Sequence, residues 1–353
     1  MERWTGARMR GALQPVPSSA FWSQQGWHVW CGSITRDLND RYWLFYSRWP
    51  KSTGFDGWVT ASEICCATSN SLFGPWHDKG VILQGSGRTA DWDRDVVHNP
   101  VVICHQHHYY LYYMGNFGNG TYWDHRNHQR VGVAWANTPI GPWQRLDHPV
   151  LDVSPGFIAQ ASERLPDRDE PAVDTLMTSN PTVTKMADGR FLMLYKAVGN
   201  GPLPKGGKVI CSAAIADHPL GPFRKSGRAI MVNPEHDWSV EDPCIWFQDG
   251  CYYALVKDFQ GYFTRQGPST IALFISADGL DWRPASDPFV MDRTIHWLNG
   301  KEQAVARLER PQIYLEDGRP HALSCAVLLD VDTLTTGNIQ IPIETDKCKE
   351  AET

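Results

Sequence analysis

An internal repeat is the feature that most constrains the fold of this chain. Five segments share one pattern: a polar residue, then Pro or Gly, a β-branched strand, a short turn and an aromatic-rich strand. The segments begin at Cys31, Asn99, Asn180, Asp242 and Arg310. The Gly or Pro that follows each start is separated from the next by 68, 81, 62 and 68 residues. Each segment is typical of a β-hairpin, and three of them place Asp-Gly at the turn.

A second repeat lies between these hairpins and consists of a strand, a Gly-Pro-aromatic type of corner and another strand. It spans residues 67–83, 134–151, 214–231 and 274–291. Together, the two repeats predict an all-β chain built from four-stranded antiparallel units. Five such units around a central axis form a five-bladed β-propeller, an arrangement that leaves few exposed sheet edges. The predicted blades are 27–90, 91–152, 175–233, 238–292 and 305–345.

Ring closure needs a strand from elsewhere in the chain, because the fifth unit contains only three plausible strands. The stretch before Trp27 is expected to supply the missing outer strand. On this interpretation, residues 1–353 form a single propeller domain. Two stacked β-sandwich domains are the structural alternative, but they account poorly for the fivefold spacing.

Composition excludes several classes of protein. The chain has 353 residues, of which 42% are hydrophobic, and a net charge of -6. The hydrophobic fraction argues against wholesale disorder, and the lack of Lys/Arg blocks argues against nucleic-acid binding. No apolar run is long enough to span a membrane. The nine cysteines are scattered without a CxxC motif, so we expect a cytoplasmic protein, or a periplasmic or secreted one if a signal peptide has been removed. Oligomeric state stays open.

A propeller gathers the starts of its innermost strands around one axis, so residues that are distant in sequence converge there. The second strand of each hairpin returns to the same face. We expect the catalytic candidates to be Asp95, Glu241, Asp242, Glu309 and His296. The candidates for substrate binding are Trp30, Arg48, Trp49, His98, Asn99, Asn180, Lys196, Lys257, Asp258 and Arg310.

Carboxylates that face one another across a pocket suit the hydrolysis of glycosidic bonds, which needs a general acid and a base or nucleophile. Aromatic side chains at the mouth, including Trp58 and Tyr122, offer apolar faces to sugar rings. A carbohydrate is therefore the expected partner. The histidine spacing does not indicate a transition-metal site, and no cofactor is expected to be required, although the propeller axis leaves room for a structural cation.

The hairpins and Gly-Pro-Trp corners resemble those of the arabinanase, levansucrase and invertase superfamily of five-bladed glycoside hydrolases. Families 43 and 117 are the nearest comparison, and the resemblance covers about Trp27 to Ile343. In family 43, a base Asp opens blade one, a pKa-modulating Asp opens blade two and an acid Glu opens blade three. Here, VWCGSI stands in blade one and TSNP in blade three. The catalytic pattern is therefore divergent.

The resemblance implies a glycosidase of carbohydrate metabolism or polysaccharide degradation that removes a terminal sugar from a small glycoside or oligosaccharide. Asp242 and Asp95 are the preferred base and supporting carboxylate, and Glu309, Glu241 or His296 would protonate the leaving oxygen. In family 117 the acid is a His, and His296 is the position to compare. Two alternatives stay open: a phosphorylase on the same fold, and a propeller that binds carbohydrate without catalysis.

Overall fold

The computed structural model describes residues 3–155 and 172–344 of the chain. Its helices are short: α1 Gly6–Ala12, α2 Trp58–Ala61 and α3 Tyr122–Asn127, with 3-10 turns at Ser18–Ala20, Lys51–Thr53 and Phe55–Gly57. Within the described residues, none of the helices is long and apolar enough to cross a membrane.

Strands make up the rest of the regular structure. In chain order they are β1 Phe21–Trp22, β2 Trp27–Arg36, β3 Tyr42–Pro50, β4 Glu63–Ser69, β5 His77–Leu83, β6 Val96–His105, β7 His108–Asn116, β8 Arg130–Ala136, β9 Gln144–Arg145, β10 Met177–Lys185, β11 Phe191–Val198, β12 Val209–Ala216, β13 Arg224–Lys225, β14 Val240–Gln248, β15 Cys251–Asp258, β16 Thr270–Ser276, β17 Arg283–Met291, β18 Thr294–His296, β19 Glu302–Ala304, β20 Arg307–Glu316, β21 Arg319–Asp330 and β22 Thr335–Pro342.

Five four-stranded antiparallel sheets form the blades. Four are continuous in sequence, β2–β5, β6–β9, β10–β13 and β14–β17, and the fifth has the order β20-β21-β22-β1. The first strand of each sheet contacts the first strand of the next, and β20 contacts β2, so the five inner strands close a ring around the axis. The prediction of a five-bladed β-propeller is confirmed.

The N-terminal segment completes the fifth blade. Strand β1 pairs with β22, with Phe21 opposite Ile339 and Trp22 opposite Asn338. Buried apolar side chains pack between neighbouring blades; Tyr112 and Tyr195, for example, belong to the cluster between the second and third blades. The extra hairpin of β18 and β19 lies between the fourth and fifth blades in sequence. The N-terminal segment also bonds it, since the Val16 N–H donates to the His296 carbonyl oxygen at 2.8 Å.

Each inner strand carries a bulge at the same place. The register of β2 against β3 shifts between Trp30 and Ser33, and the four other inner strands shift at the equivalent positions. The residue at the bulge has a positive φ in every blade, and these residues are Cys31, Asn99, Asn180, Asp242 and Arg310. A bulge re-aims a side chain relative to a regular strand. The repeated polar residue of the sequence pattern is therefore the one that the bulge displays.

Glycine at position 6 allows the N-terminal helix to lie against the fourth blade. A Cβ atom at Gly6 would come within 2.0 Å of the Asp287 carbonyl oxygen in β17. We expect Gly6→Ala to lower the free energy of unfolding by about 1–3 kcal/mol, as overpacking commonly does, measured by urea denaturation. Gly11→Ala, in the same helix but with no atom within 4 Å of its Cβ, is the matched control and should be neutral or stabilising. Equal losses in the two variants would contradict this packing.

Candidate active site

A cavity of about 270 Å³ lies where the inner strands meet at one end of the axis. Three kinds of element form its wall: the inner strands, the second strands and the loops that follow the second strands. The lining residues are Trp30, Trp49, Phe55, Asp56, Trp58, His98, Asn99, Tyr122, Arg126, Asn180, Lys196, Trp238, Glu241, Asp242, Lys257, Phe259, Arg307, Glu309 and Arg310. We refer to this space as the axial cavity.

The five bulge residues are joined by hydrogen bonds in a chain across the axis, which we call the axial chain. The Cys31 thiol donates to Asn99 Oδ1 at 2.8 Å, and Asn99 Nδ2 donates to Asn180 Oδ1 at 2.7 Å. Asn180 Nδ2 donates to Asp242 Oδ1 at 2.6 Å. From the other side, Arg310 Nη1 donates to the same oxygen at 3.1 Å. All of these donors point towards Asp242, the anionic member of the axial chain.

Burial raises the pKa of Asp242, and the neighbouring Glu241 carboxylate adds to this effect. The axial chain uses mainly one oxygen of Asp242, since Oδ2 receives only a long bond of 3.3 Å from the main-chain N–H of Arg310. Asp242 Oδ2 is thus the better placed oxygen to hold a proton.

Glu241 and Glu309 lie beside the axial chain and share one cation. Lys257 Nζ is 2.6 Å from Glu309 Oε1 and 3.3 Å from Glu241 Oε1. Lys196 Nζ adds a second contact to Glu241, at 3.2 Å from Oε2. Burial alone would raise the pKa of Glu241, but the two ammonium groups lower it to about 2. Glu241 is therefore ionised at any ordinary pH, whereas the pKa of its sequence neighbour Asp242 is shifted in the opposite direction.

The lysine contacts predict a specific pH dependence of stability. A Glu whose pKa is depressed in the folded state stabilises the fold above its unfolded pKa of about 4.3 and loses this contribution as pH falls. Lys196→Met removes one of the two cations, so we expect lower stability at pH 7 and a shallower further loss from about pH 4.3 to pH 2. Urea denaturation at several pH values measures both. Lys185→Met, at the exposed end of β10, is the control. If the free energy of unfolding falls with decreasing pH by the same amount in the two variants, the Lys196 contact is contradicted.

Aromatic side chains form another part of the cavity lining. Trp58 stacks on the His98 ring at 5.2 Å, and Trp30 packs edge-on against Phe55 at the same distance. His98 Nδ1 bonds Ser62 Oγ at 2.7 Å. Burial lowers the pKa of His98 well below its ordinary value, so the imidazole is neutral. These rings give the cavity an apolar component beside its charged groups, and the Arg307 guanidinium lies over the Phe55 ring, 4.8 Å from its centroid.

Most of the residues singled out from the sequence do lie around the axial cavity. Those that line it are Trp30, Trp49, His98, Asn99, Asn180, Lys196, Glu241, Asp242, Lys257, Glu309 and Arg310. Four others, Asp95, Arg48, Asp258 and His296, are not among the lining residues. We therefore leave these four out of the proposed site.

Strand alternation explains two of the four. Consecutive residues of a strand face opposite sides, so Lys257 reaches the cavity while Asp258 points away. Asp258 instead accepts hydrogen bonds from the main-chain N–H groups of Tyr262, Phe263 and Thr264. Likewise, Trp49 lines the cavity while Arg48 binds Glu63 at 2.9 Å.

Local partners explain the other two. Asp95 is held by Arg94, which contacts its two oxygens at 2.7 and 2.8 Å, and by the Gly118 N–H; the hydrogen bond from Arg94 lowers the pKa of Asp95. His296 belongs to the extra hairpin, is largely exposed and contacts Glu302 at 3.3 Å. Both residues have structural partners outside the cavity.

Several lining residues were not predicted as site residues. These are Phe55, Asp56, Arg126, Trp238, Phe259 and Arg307. Arg307 could have been found, because it lies two residues before Glu309 on the same strand and so shares its face. Cys31 could also have been recognised as a partner of Asn99, since both occupy the repeated position before Gly or Pro. The loop residues had no signal of this kind.

One oxygen each from Glu241, Asp242 and Glu309 lies within 4.8 Å of the others, a spacing that a hard cation could bridge. Lys257 already places positive charge beside two of these carboxylates. The expectations that no cofactor is required and that the axis leaves room for a structural cation remain predictions.

Comparison with known proteins agrees with the fold. No protein-family model matches the chain. The structure of a BT0996 complex with RGII superposes with a TM-score of 0.67 and 16% identity over 99% of this chain and 98% of that one. Zg3597, a family 117 glycoside hydrolase from the marine bacterium Zobellia galactanivorans, superposes with a TM-score of 0.60 and 18% sequence identity over 95% of this chain and 91% of its own. The chain shares their five-bladed fold.

Two further proteins are similar to this propeller. A thermostable family-43 glycoside hydrolase has a TM-score of 0.59 and 13% identity over 94% of this chain and 91% of that chain. The sucrose-6-phosphate hydrolase of Klebsiella pneumoniae is 28% identical over 139 residues, which are 39% of this chain. That match spans only 27% of the Klebsiella protein. The expected resemblance to propellers of families 43 and 117 is confirmed at the level of the fold.

Proposed function

We propose that this protein is a glycoside hydrolase that removes a terminal sugar from a small glycoside or oligosaccharide. The carbohydrate class draws support from the names of the similar proteins, which include glycoside hydrolases of families 43 and 117 and a sucrose-6-phosphate hydrolase. The size of the axial cavity, about 270 Å³, lies below the roughly 300–1,000 Å³ of pockets for drug-sized ligands. This favours a single sugar unit over a long polymer segment.

The observation that carries the proposal is the group of three carboxylates, Glu241, Asp242 and Glu309, whose oxygens lie within 4.8 Å of one another in the axial cavity. Cleavage of a glycosidic bond needs one carboxyl group that donates a proton and one carboxylate that acts as base or nucleophile. Environments that push two carboxyl pKa values apart supply both roles. Glu241 and Asp242 have such environments.

We assign the proton-donor role to Asp242 and the base or nucleophile role to Glu241. Asp242 reacts in its protonated form, which its raised pKa makes more accessible, and the proton passes from Oδ2 to the oxygen of the departing group as the glycosidic bond breaks. Glu241, held ionised by Lys196 and Lys257, attacks the anomeric carbon or activates water. This assignment reverses the roles suggested by the sequence, because sequence alone does not reveal which carboxylate the lysines contact.

The remaining side chains of the cavity position the reacting groups. Glu309 fixes Lys257 through the 2.6 Å contact, and Lys257 in turn orients Glu241. We expect the aromatic rings that line the cavity, Trp58 and Tyr122 among them, to contact the apolar side of a sugar ring. Arg310 binds Asp242 and so limits how far the carboxyl group can move.

Release of sugar from a panel of terminal aryl glycosides tests the proposal. Turnover is followed with and without inorganic phosphate, since a phosphorylase on this fold would require it. We expect hydrolysis of at least one glycoside without phosphate. Strict dependence on phosphate would establish the phosphorylase alternative, and sugar binding without cleavage of any member of the panel would establish the non-catalytic one.

A further inference from the structure

Arg126 is a buried cation that the proposed chemistry does not use. It lies in α3, its side chain lines the axial cavity and it is only 5% exposed. One nitrogen anchors it: Nη1 donates to Asn127 Oδ1 at 3.0 Å and to the Lys205 carbonyl oxygen at 2.9 Å. The guanidinium also packs over the Trp123 ring, 5.6 Å from its centroid. The group is therefore held in one place.

The other four cations of the cavity each have a carboxylate partner. Lys196 and Lys257 contact Glu241, Arg310 contacts Asp242, and Arg307 lies 3.5 Å from Glu309. Among the described residues, Arg126 has no carboxylate within 4 Å, and its Nε and Nη2 donate to no acceptor. A buried charge without a counter-ion is costly. The edge formed by Nε and Nη2 is therefore free to bind an anion that enters the axial cavity.

We propose that Arg126 binds an anionic substituent of the substrate, a carboxylate or a phosphate group on the sugar. This inference rests on the proposed function, which supplies the sugar as the substrate. It adds that the sugar carries a negatively charged group. A guanidinium is planar and binds such oxyanions through two parallel N–H groups. Nε and Nη2 form one edge of Arg126, and this edge is the one that the protein leaves without an acceptor.

The position of Arg126 separates this anion from the reacting carboxylates. Arg126 follows the second strand of the second blade, whereas Glu241 and Asp242 belong to the fourth blade. The anionic substituent is therefore expected to contact a part of the cavity wall that comes from a different blade from the reacting carboxylates. A free phosphate that attacks the anomeric carbon would need a place beside Glu241, where the cations already have carboxylate partners.

Equilibrium binding of paired ligands tests the proposal, with tryptophan fluorescence or calorimetry as the readout. The probes are galacturonate against galactose, glucuronate against glucose, glucose 6-phosphate against glucose, and inorganic phosphate alone. We expect at least one anionic sugar to bind about tenfold or more tightly than its neutral parent, as a hydrogen bond to a charged group allows. Arg126→Gln should abolish this preference, so that the ratio of the two affinities falls to about one.

Two further variants make the result decisive. Arg126→Lys keeps the buried charge, so it should fold even if Arg126→Gln does not, and it should weaken the preference because it lacks the two-pronged geometry. Arg265→Gln, an exposed arginine over the Tyr262 ring in another loop, is the matched control and should retain the preference in full.

Three results would overturn the proposal: equal affinity for anionic and neutral sugars in the wild type, a preference that survives in both Arg126 variants, or Arg126-dependent binding of inorganic phosphate that excludes the anionic sugar. Each of these is distinguishable from failure of the proposed function. Hydrolysis of neutral glycosides that depends on Glu241 can persist when the role of Arg126 fails, and Arg126-dependent binding can persist in a protein that cleaves nothing.

Discussion

Replacement of Glu241 by glutamine is expected to lower kcat for glycoside hydrolysis by about 10²–10⁴-fold, the usual contribution of a group that transfers a proton or activates water. Glutamine keeps the shape of the side chain but cannot act as a base or nucleophile. Steady-state kinetics on the best glycoside of the panel measures the effect. Circular dichroism should show the wild-type fold, although the free energy of unfolding should fall because Lys196 and Lys257 lose a carboxylate partner.

Glu63→Gln is the matched control for this experiment. Glu63 also pairs with a cation of the neighbouring second strand, Arg48, at 2.9 Å, but it is not among the residues that line the axial cavity. The control should therefore retain wild-type kcat. If Glu241→Gln retains it as well, Glu241 is not the reacting carboxylate, whatever happens at Asp242 or Glu309.

Replacement of Arg310 by methionine is expected to destabilise the protein by about 3–5 kcal/mol, the cost of leaving one member of a buried ion pair without its partner. Arg310 and Asp242 are 2% and 3% exposed, so water cannot replace the lost contact. Without the guanidinium, Asp242 must take up a proton or stay charged in a poorly solvated site. Urea denaturation at pH 7 measures the loss in the free energy of unfolding.

Two comparisons separate the ion pair from simple packing. The double variant Arg310→Met/Asp242→Asn should recover part of the loss, because it removes the isolated charge. Arg36→Met, which breaks the more exposed pair with Glu316 at 2.7 Å, should cost at most about 1 kcal/mol. Equal losses in Arg310→Met and Arg36→Met would contradict the role assigned to the axial chain.

Repetition made the fold predictable from sequence. Each inner strand begins at a polar residue followed by Pro or Gly, and in the structure this same residue sits at a bulge with positive φ. Asp249-Gly250 and Asp317-Gly318 close two-residue turns in which both residues have positive φ, as the Asp-Gly pattern predicts. A sequence pattern that recurs five times predicts a five-bladed architecture even when each copy alone is ambiguous.

The candidate site was predictable only where the repeat applies. Asn99, Asn180, Asp242 and Arg310 occupy repeated positions, and all of them line the axial cavity. Asp258 was misplaced because the alternation of β15 turns it away from the cavity. Arg126 and Trp238 lie outside the repeated hairpins, in segments that differ from blade to blade, so their approach to the axis depends on the three-dimensional path of each segment.

The most direct test of the central claim is a crystal structure of the Glu241→Gln variant with a bound substrate. The account predicts a terminal sugar in the axial cavity, with its anomeric carbon beside residue 241 and the leaving oxygen within hydrogen-bond distance of Asp242 Oδ2. A sugar bound elsewhere on the propeller, or one in the cavity with its anomeric carbon turned away from these two side chains, would contradict it.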